Sequence, residues 1–466
     1  MRAWELERRW RDGQLPRRLA DDNELLWEEQ IAPLDEQLDA AIKIYWGSQV
    51  PGSLAREVLA VAAIQATENR GRRVQHADEL LMEGLTALAN DDMTGLHRAT
   101  HALFEACRNA EIDPDSDYWR FGFYDTFEDY AAAAELPAAR TIDMGEDLLD
   151  RIHAGWMCQI IGGAYGTCLE GYTTDNIAKA YGTLDRYLRK PNTYNDDITY
   201  ELALLAAYER HGRATTNRDI AYEWLSRIGF GWSAEDMALR NLRCGIMPPE
   251  SGRFNNPFCE WIGAQMRGVI CGQIWPGNPA RAAEAAFHDA EISHCHNGIL
   301  GEVFNALLCS MAFSERDVRT LLKDAIRLIP ADSQYRDVLD FALAQCASHE
   351  TWLDAWRPCE RRTERYNWVH AYPNAAIEVI ALWYGGDDFV RTLEICGGCG
   401  QDVDCVAAQV MTVWGTIHGF DAIPGYWIEP FGDRLDTYVR DMKVLSIRKL
   451  SERTAAVARE LAEQEE

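Results

Sequence analysis

The sequence predicts an all-α fold, and three observations carry that expectation. Apolar residues recur at three- and four-residue spacing from end to end, as in SLAREVLAVAAIQATENRG (53–71), ITYELALLAAYERHG (198–212), ARAAEAAFHDAEISH (280–294) and DCVAAQVMTVWGTIHG (404–419). That period places apolar side chains on one face of a helix. Few segments alternate β-branched and polar residues as strands do. Helix ends are also legible, because capping residues and glycines bracket several of the periodic runs.

Taken in order, the N-terminal part contains expected helices over 23–46 and 93–109, and it is rich in tryptophan and acids. Composition shifts near 136–147, within AELPAARTIDMGEDLLDRI, and a glycine-rich helical segment follows, GWMCQIIGGAYGTCLEG (155–171). Asn195 and Asp196 are placed to cap the next helix and His211–Gly212 to close it, since Asn and Asp satisfy first-turn amides and glycine tolerates the helix exit. RCGIMPPESGRFNNPF (243–258) interrupts the periodicity for longer than an ordinary connection. Its aromatic flanks Phe254, Phe258 and Trp261 predict an ordered loop. Pro279 after Asn278 suits a first helical position. SERTAAVARELAEQEE at the C-terminal end reads as a polar helix that frays. The expected organisation is an N-terminal helical extension over 1–140, a compact multi-helix domain over 147–435 and a helical tail over 436–466.

With 466 residues the chain holds two to three domains' worth of material, or one large α-domain with an extension. Its 74 acidic against 46 basic residues leave a net charge of −28, which disfavours long-range attraction to nucleic acid or an anionic membrane. No run of apolar residues is long enough to span a bilayer. MRAWELERRWRDGQLPRRLADD is charged throughout and lacks the apolar core of a secretory signal, so a cytoplasmic location is expected. Thirteen scattered cysteines fit reduced, buried thiols.

The densest chemistry lies in CGGCGQDVDC (396–405). Cys396 and Cys399 form one CxxC, with Cys405 and the His294-Cys295-His296 stretch as further soft ligands. A structural zinc site calls for a second ligand pair of the same kind, and a thioredoxin-like motif calls for βαβ surroundings. Neither is present, so Cys396 and Cys399 are expected to pack, while Cys405 stays open between ligand and packing group. Asp402 and Asp404 follow three glycines at a helix start, where two carboxylates can converge on a hard cation or simply cap the helix. Asp196–Asp197 in TYNDDITYELALL has the same design, and alone it reads equally as capping and complement to the helix dipole. Two such starts in one chain make a shared metal site the sharper expectation. Glu170 closes IGGAYGTCLEG, and SHCHNG (293–298) offers Ser293, His294, His296 and Asn297, groups that by themselves fit a solvated loop and a helix end.

From about Leu149 to Trp427 these ordered segments resemble the ADP-ribosylglycohydrolase family, the group related to dinitrogenase reductase-activating glycohydrolase. RIHAGWMCQIIGGAYGTCLEG is similar to the family's opening helix and glycine-rich turn, with Glu170 at the position of its substrate-loop glutamate. NDDITYEL resembles the Thr-Asp-Asp-Thr metal motif, and GQDVDC the closing Asp-x-Asp-Thr motif. ESGRFNN stands loosely in the place of the Gly/Ser/Asn-rich substrate loop. The segment from EWIGAQMRG to LLCSMAF is similar to the central Pro-Gly-x-Pro, Asp-Ala, Ser-His and Asn-Gly pattern.

The resemblance implies an all-α fold with a dinuclear Mg2+ or Mn2+ centre. Its implied ligands are Asn195, Asp196, Asp197, Asp402, Asp404 and Cys405. Glu170, Asp197 and Asp402 take the implied catalytic roles, and Gly166, Asn256, Ser293, His294 and Asn297 the implied substrate contacts. The expected activity is metal-dependent hydrolysis of a ribosyl linkage in an ADP-ribosylated protein or a nucleoside-like small molecule, with no nucleic-acid or membrane partner. This chain departs from the pattern at Asn195, Ile198, Val403 and Cys405, where the family carries threonines. Two alternatives stand beside this expectation: the long N-terminal extension motivates the same cleft turned to a changed reaction on a small biosynthetic metabolite, and the departures motivate a non-catalytic binding or structural protein on this fold. Oligomeric state is not encoded in any of these features.

Overall fold

The structure is a computed structural model that describes residues 2–16, 29 and 31–465. Among the described residues it has 23 α-helices, against eight strands of two or three residues each, so the architecture is all-α. None of these helices is long and apolar enough to cross a membrane.

Two buried helices, Glu146–Gly166 and Val403–His418, form the axis of the core. They lie unusually close because small residues face each other along their seam. A Cβ at Gly162 would overlap the Ala407 backbone, one at Gly166 would overlap the Asp404 backbone, and one at Gly415 would sit 2.6 Å from the Ala154 carbonyl oxygen. Larger side chains would push the helices apart. Arg151, buried at 4% exposure, ties together the ends of neighbouring helices. Its guanidinium donates to the carbonyls of Thr416 at 2.6 Å, Phe313 at 2.8 Å and Ala312 at 2.6 Å, which are acceptors that a helix C-terminus leaves open.

Around this pair pack Asp196–His211, Asn297–Ala312, Ala371–Gly385, Phe389–Cys399 and Ile447–Glu463. The last corrects the expectation of a fraying tail. Ser446 caps it, and Ile447, Leu450, Thr454, Ala458 and Leu461 form a stripe that is buried. Trp156 Nε1 donates to Thr454 Oγ1 at 3.0 Å. The stripe is only one side wide, so a residue count sees a polar helix while the packed face is continuous with the core.

The N-terminal part folds as helices Ala32–Trp46, Leu59–Asn69, Ala77–Ala89 and Met93–Arg108. The expected helix over 93–109 is thus present, and that over 23–46 is seen from Ala32 onward; residues 23–28 and 30 lie outside the described residues. Trp46 is fully buried, donates to Thr100 Oγ1 at 2.7 Å and fills the space over Gly84. A short hairpin pairs Ser48–Gln49 with Arg56–Glu57 and turns this part toward the Glu170 segment. The 243–258 segment is ordered as its aromatics predict: it contains one helical turn, Glu250–Arg253, and Phe258 and Trp261 are buried.

Candidate metal centre

Asp402 is the N-cap residue of Val403–His418, and the chain reaches it through Gly400 and Gln401, both at positive φ (75° and 66°). Gly400 takes that conformation without strain; Gln401 is held there by pairing. Gln401 and Gly400 pair antiparallel with Tyr172 and Thr173, and Gly171 N donates to the Gln401 carbonyl at 2.9 Å. This stitch brings the segment that carries Glu170 beside Asp402 and Asp404. Asp402 N donates to Asn374 Oδ1 at 3.2 Å, and Asn374 is itself held by the Trp368 and His370 carbonyls. Asn374 carries no sequence signal that would have marked it.

The second acidic pair begins Asp196–His211. Asn195 caps that helix, its Oδ1 accepting from Asp197 N at 2.7 Å, while its amide nitrogen lies over Gly163. The two pairs meet where Cys405 Sγ donates to Asp197 Oδ1 at 3.2 Å. Ligand atoms of Asp402, Asp404 and Cys405 lie within 4.8 Å of one another. Asp197, Asp402, Asp404 and Cys405 are buried, while Asp196 and Glu170 are half-buried.

The electrostatics of this cluster are unbalanced. Burial, reinforced by the neighbouring carboxylates, pushes Asp197 and Asp402 well above the usual carboxylate range. The same causes hold Asp404 up at about 6, and Glu170 well above its ordinary value. Burial also raises Asp196 and the Cys405 thiol, the latter helped by its four aspartate neighbours. No arginine, lysine or histidine forms an ion pair with any of these five carboxylates among the described residues. One oxygen on each of Asp197, Asp402 and Asp404 is buried without a hydrogen-bond partner. Oxygen donors with spare lone pairs and uncompensated charge match what a divalent hard cation requires, so the residues present fit Mg2+ or Mn2+. Ile198 and Val403, which stand where the resembling motifs carry threonine, are buried apolar groups and add no ligand.

The other sequence candidates are placed differently. Gly166 lies against the Asp404 backbone, where its missing side chain permits the helix contact. Ser293 Oγ accepts from Arg267 Nη2 at 3.0 Å and faces His294 Nδ1 at 2.8 Å. His294 Nε2 accepts from Ala264 N, which puts the ring proton on Nδ1, and burial holds the imidazole neutral. Asn256 donates to the carbonyls of Ala234, Gly252 and Ser293. Asn297 donates to Glu260 and accepts from Tyr335 N. Ser293 and His294 lie beside Arg267, which binds Asp289 and Glu235 and lies against Trp224, while Asn256 and Asn297 tie neighbouring segments together. No hydrogen bond or ion pair joins Asn256, Ser293, His294 or Asn297 to the carboxylate cluster among the described residues; their own partners are the ones given above.

Cys396 and Cys399 end the Phe389–Cys399 helix, fully buried, with burial pushing both thiols up. They pack as expected. One group that sequence reasoning passed over is Glu57 of the N-terminal hairpin. It is 6% exposed, accepts from Trp232 Nε1 at 3.1 Å, and burial pushes it up to about 7; its charge is felt by Glu170.

A family model described as ADP-ribosylglycohydrolase matches residues 144–462. A solved structure titled "ADP-ribosylglycohydrolase-related protein complex" is 18% identical, with a TM-score of 0.47, over 68% of this chain and 99% of that one. No curated protein matches the chain.

Proposed function

We propose that this chain, which belongs to the ADP-ribosylglycohydrolase family, is a metal-dependent hydrolase of a ribosyl linkage centred on Asp196, Asp197, Asp402 and Asp404. The observation that carries the reading is the set of three buried, unpartnered oxygens on Asp197, Asp402 and Asp404. Those four aspartates would hold Mg2+ or Mn2+, which when bound supplies positive charge and a template for ribose hydroxyls and water. Cys405, with its thiol pushed up, keeps its proton and hydrogen-bonds to Asp197 Oδ1, while Oδ2 of Asp197 stays buried without a hydrogen-bond partner. Asn195 orients the same helix start from its backbone side.

Glu170 is the acid/base candidate. It is half-buried on a segment stitched to Gln401, and its raised proton affinity suits a group that gives a proton to a leaving oxygen or nitrogen and later takes one from water. Charge development at the anomeric carbon is then met by the neighbouring carboxylates.

The N-terminal hairpin supports a small, nucleoside-like substrate in preference to a protein. Tyr172 Oη donates to Ser53 O at 2.9 Å, Arg189 donates to Gly52 O at 2.7 Å, and the Gly171 backbone lies against Ala55. These contacts hold the hairpin against the segment that carries Glu170, where it would narrow the approach to that group.

The test is a metal-replete sample screened against ADP-ribosyl-arginine, ADP-ribosyl-serine and a nucleoside panel, with ribose or ADP-ribose release as readout. Mn2+ binding is measured alongside in the wild type and in Asp402→Asn/Asp404→Asn. The expected result is turnover of one class and loss of binding in the variant. Equal and negligible Mn2+ binding by both proteins would remove the metalloenzyme reading.

A further inference from the structure

Between the N-terminal extension and the 250–257 segment lies a cavity of about 270 Å³. Arg70, Arg72 and Arg108 line it from the extension, and Arg253 from the other wall. Glu250 is the one carboxylate among its lining residues, and none of the aspartates of the metal cluster borders it. In a chain of net charge −28, four guanidiniums around one cavity invert the local sign.

Their existing partners compensate that charge only in part: buried Glu260 attracts Arg70, and Arg72 and Arg108 have no carboxylate partner among the described residues. Arg70 donates to the Asn256 carbonyl at 3.4 Å and approaches Cys295 Sγ at 3.7 Å. Arg72 donates to the Ala110 carbonyl at 2.9 Å, and Arg108 lies over the Phe254 ring at 4.9 Å. None of these three forms an ion pair with a carboxylate among the described residues. Arg253 pairs with Asp125 at 3.1 Å through one terminal nitrogen. The Nε–H groups of Arg70 and Arg253 are buried without any acceptor, which is unfavourable unless a guest completes them.

We propose that this cavity binds a small phosphate monoester carrying a flat apolar group. Guanidinium forks pair with planar arrays of oxygens, and a phosphate monoester brings close to two negative charges and three acceptor oxygens where a carboxylate brings one charge and two. The half-buried rings of Phe104 and Phe254 border the same space and offer a surface for the organic part. Arg70, Arg72 and Arg108 precede residue 144, so half of the site lies outside the span that the family model matches. The site is independent of the reading given for the metal cluster.

The experiment is calorimetric titration of the full-length protein with phenyl phosphate, inorganic phosphate and phenol, with a chelator present to keep phosphate off any metal. The wild type is expected to bind phenyl phosphate saturably, inorganic phosphate more weakly and phenol not at all. Arg108→Ala and Arg253→Gln are each expected to weaken phenyl phosphate by about tenfold, the loss of one charged hydrogen-bonding group. Asp402→Asn is expected to leave the affinity unchanged. Circular dichroism and melting of each variant exclude misfolding as the cause. The proposal is overturned if the wild type shows no saturable binding of phenyl phosphate, if the two arginine variants bind as tightly as the wild type, or if Asp402→Asn alone abolishes binding.

Discussion

Cys405 Sγ donates to Asp197 Oδ1 at 3.2 Å across 208 positions of chain, and that contact joins the two acidic helix starts into one cluster. The thiol stands where the resembling motif carries a threonine. A group that orients a ligand through a hydrogen bond typically changes metal affinity by about 10- to 100-fold when removed. Cys405→Ala is therefore expected to weaken Mn2+ binding by about tenfold, and Cys405→Thr, which restores a donor, to recover most of it. Titration calorimetry on both variants checks this.

Asp402→Asn separates stability from metal binding. In the metal-free protein it removes one buried like charge beside Asp404, so stability is expected to rise by on the order of 1 kcal/mol. The wild type should gain melting temperature on addition of Mn2+ and the variant should not. Thermal melts with and without the ion give both signs in one series.

The metal-free protein is expected to lose stability as pH rises. Asp404 sits at about 6 against an ordinary 3.8, so between those values the folded state holds more protons than the unfolded one. Stability from this group is then fully present below about pH 4 and is lost as pH rises through about 6. The raised Asp197, Asp402 and Glu170 extend the loss upward. Mn2+ should flatten the profile, since a bound cation favours the ionised carboxylates. Denaturant midpoints measured from pH 4 to 8 test the slope.

Gly166→Ala places a methyl group on the Asp404 backbone. Overpacking of this kind costs about 1–3 kcal/mol, and here it also shifts a ligand. The expected outcome is a lower denaturation midpoint together with weaker Mn2+ binding, whereas Gly182→Ala, with open space around it, should change neither.

Leu461 is fully buried near the end of the C-terminal helix. Leu461→Ala should destabilise by about 2–5 kcal/mol, a loss that a frayed tail could not produce. Chemical denaturation followed by far-ultraviolet circular dichroism measures the loss.

The helices and several of their boundaries were legible because their determinants are local. Asn195 caps, Gly212 terminates and Pro279 initiates at the places their chemistry predicts. The Ile447–Glu463 helix was misjudged because its apolar stripe is narrow, and only its packing against Trp156 shows that it belongs to the core. The partners of Ser293, His294 and Asn297 were not legible, because Arg267, Ala264 and Glu260 lie on the preceding stretch and nothing in sequence ties one to another.

By itself, then, the sequence determined an all-α chain with two acidic pairs at helix starts, since periodicity and capping depend on residues three or four positions apart. Only the tertiary structure decided that Asp197 meets Asp402, Asp404 and Cys405, that Glu170 is stitched beside them, and that the N-terminal hairpin brings Glu57 to the same place. The reason is physical. Such meetings depend on how closely helices can approach, and that distance is set by glycines such as Gly162 and Gly166, whose packing partners lie more than two hundred positions away.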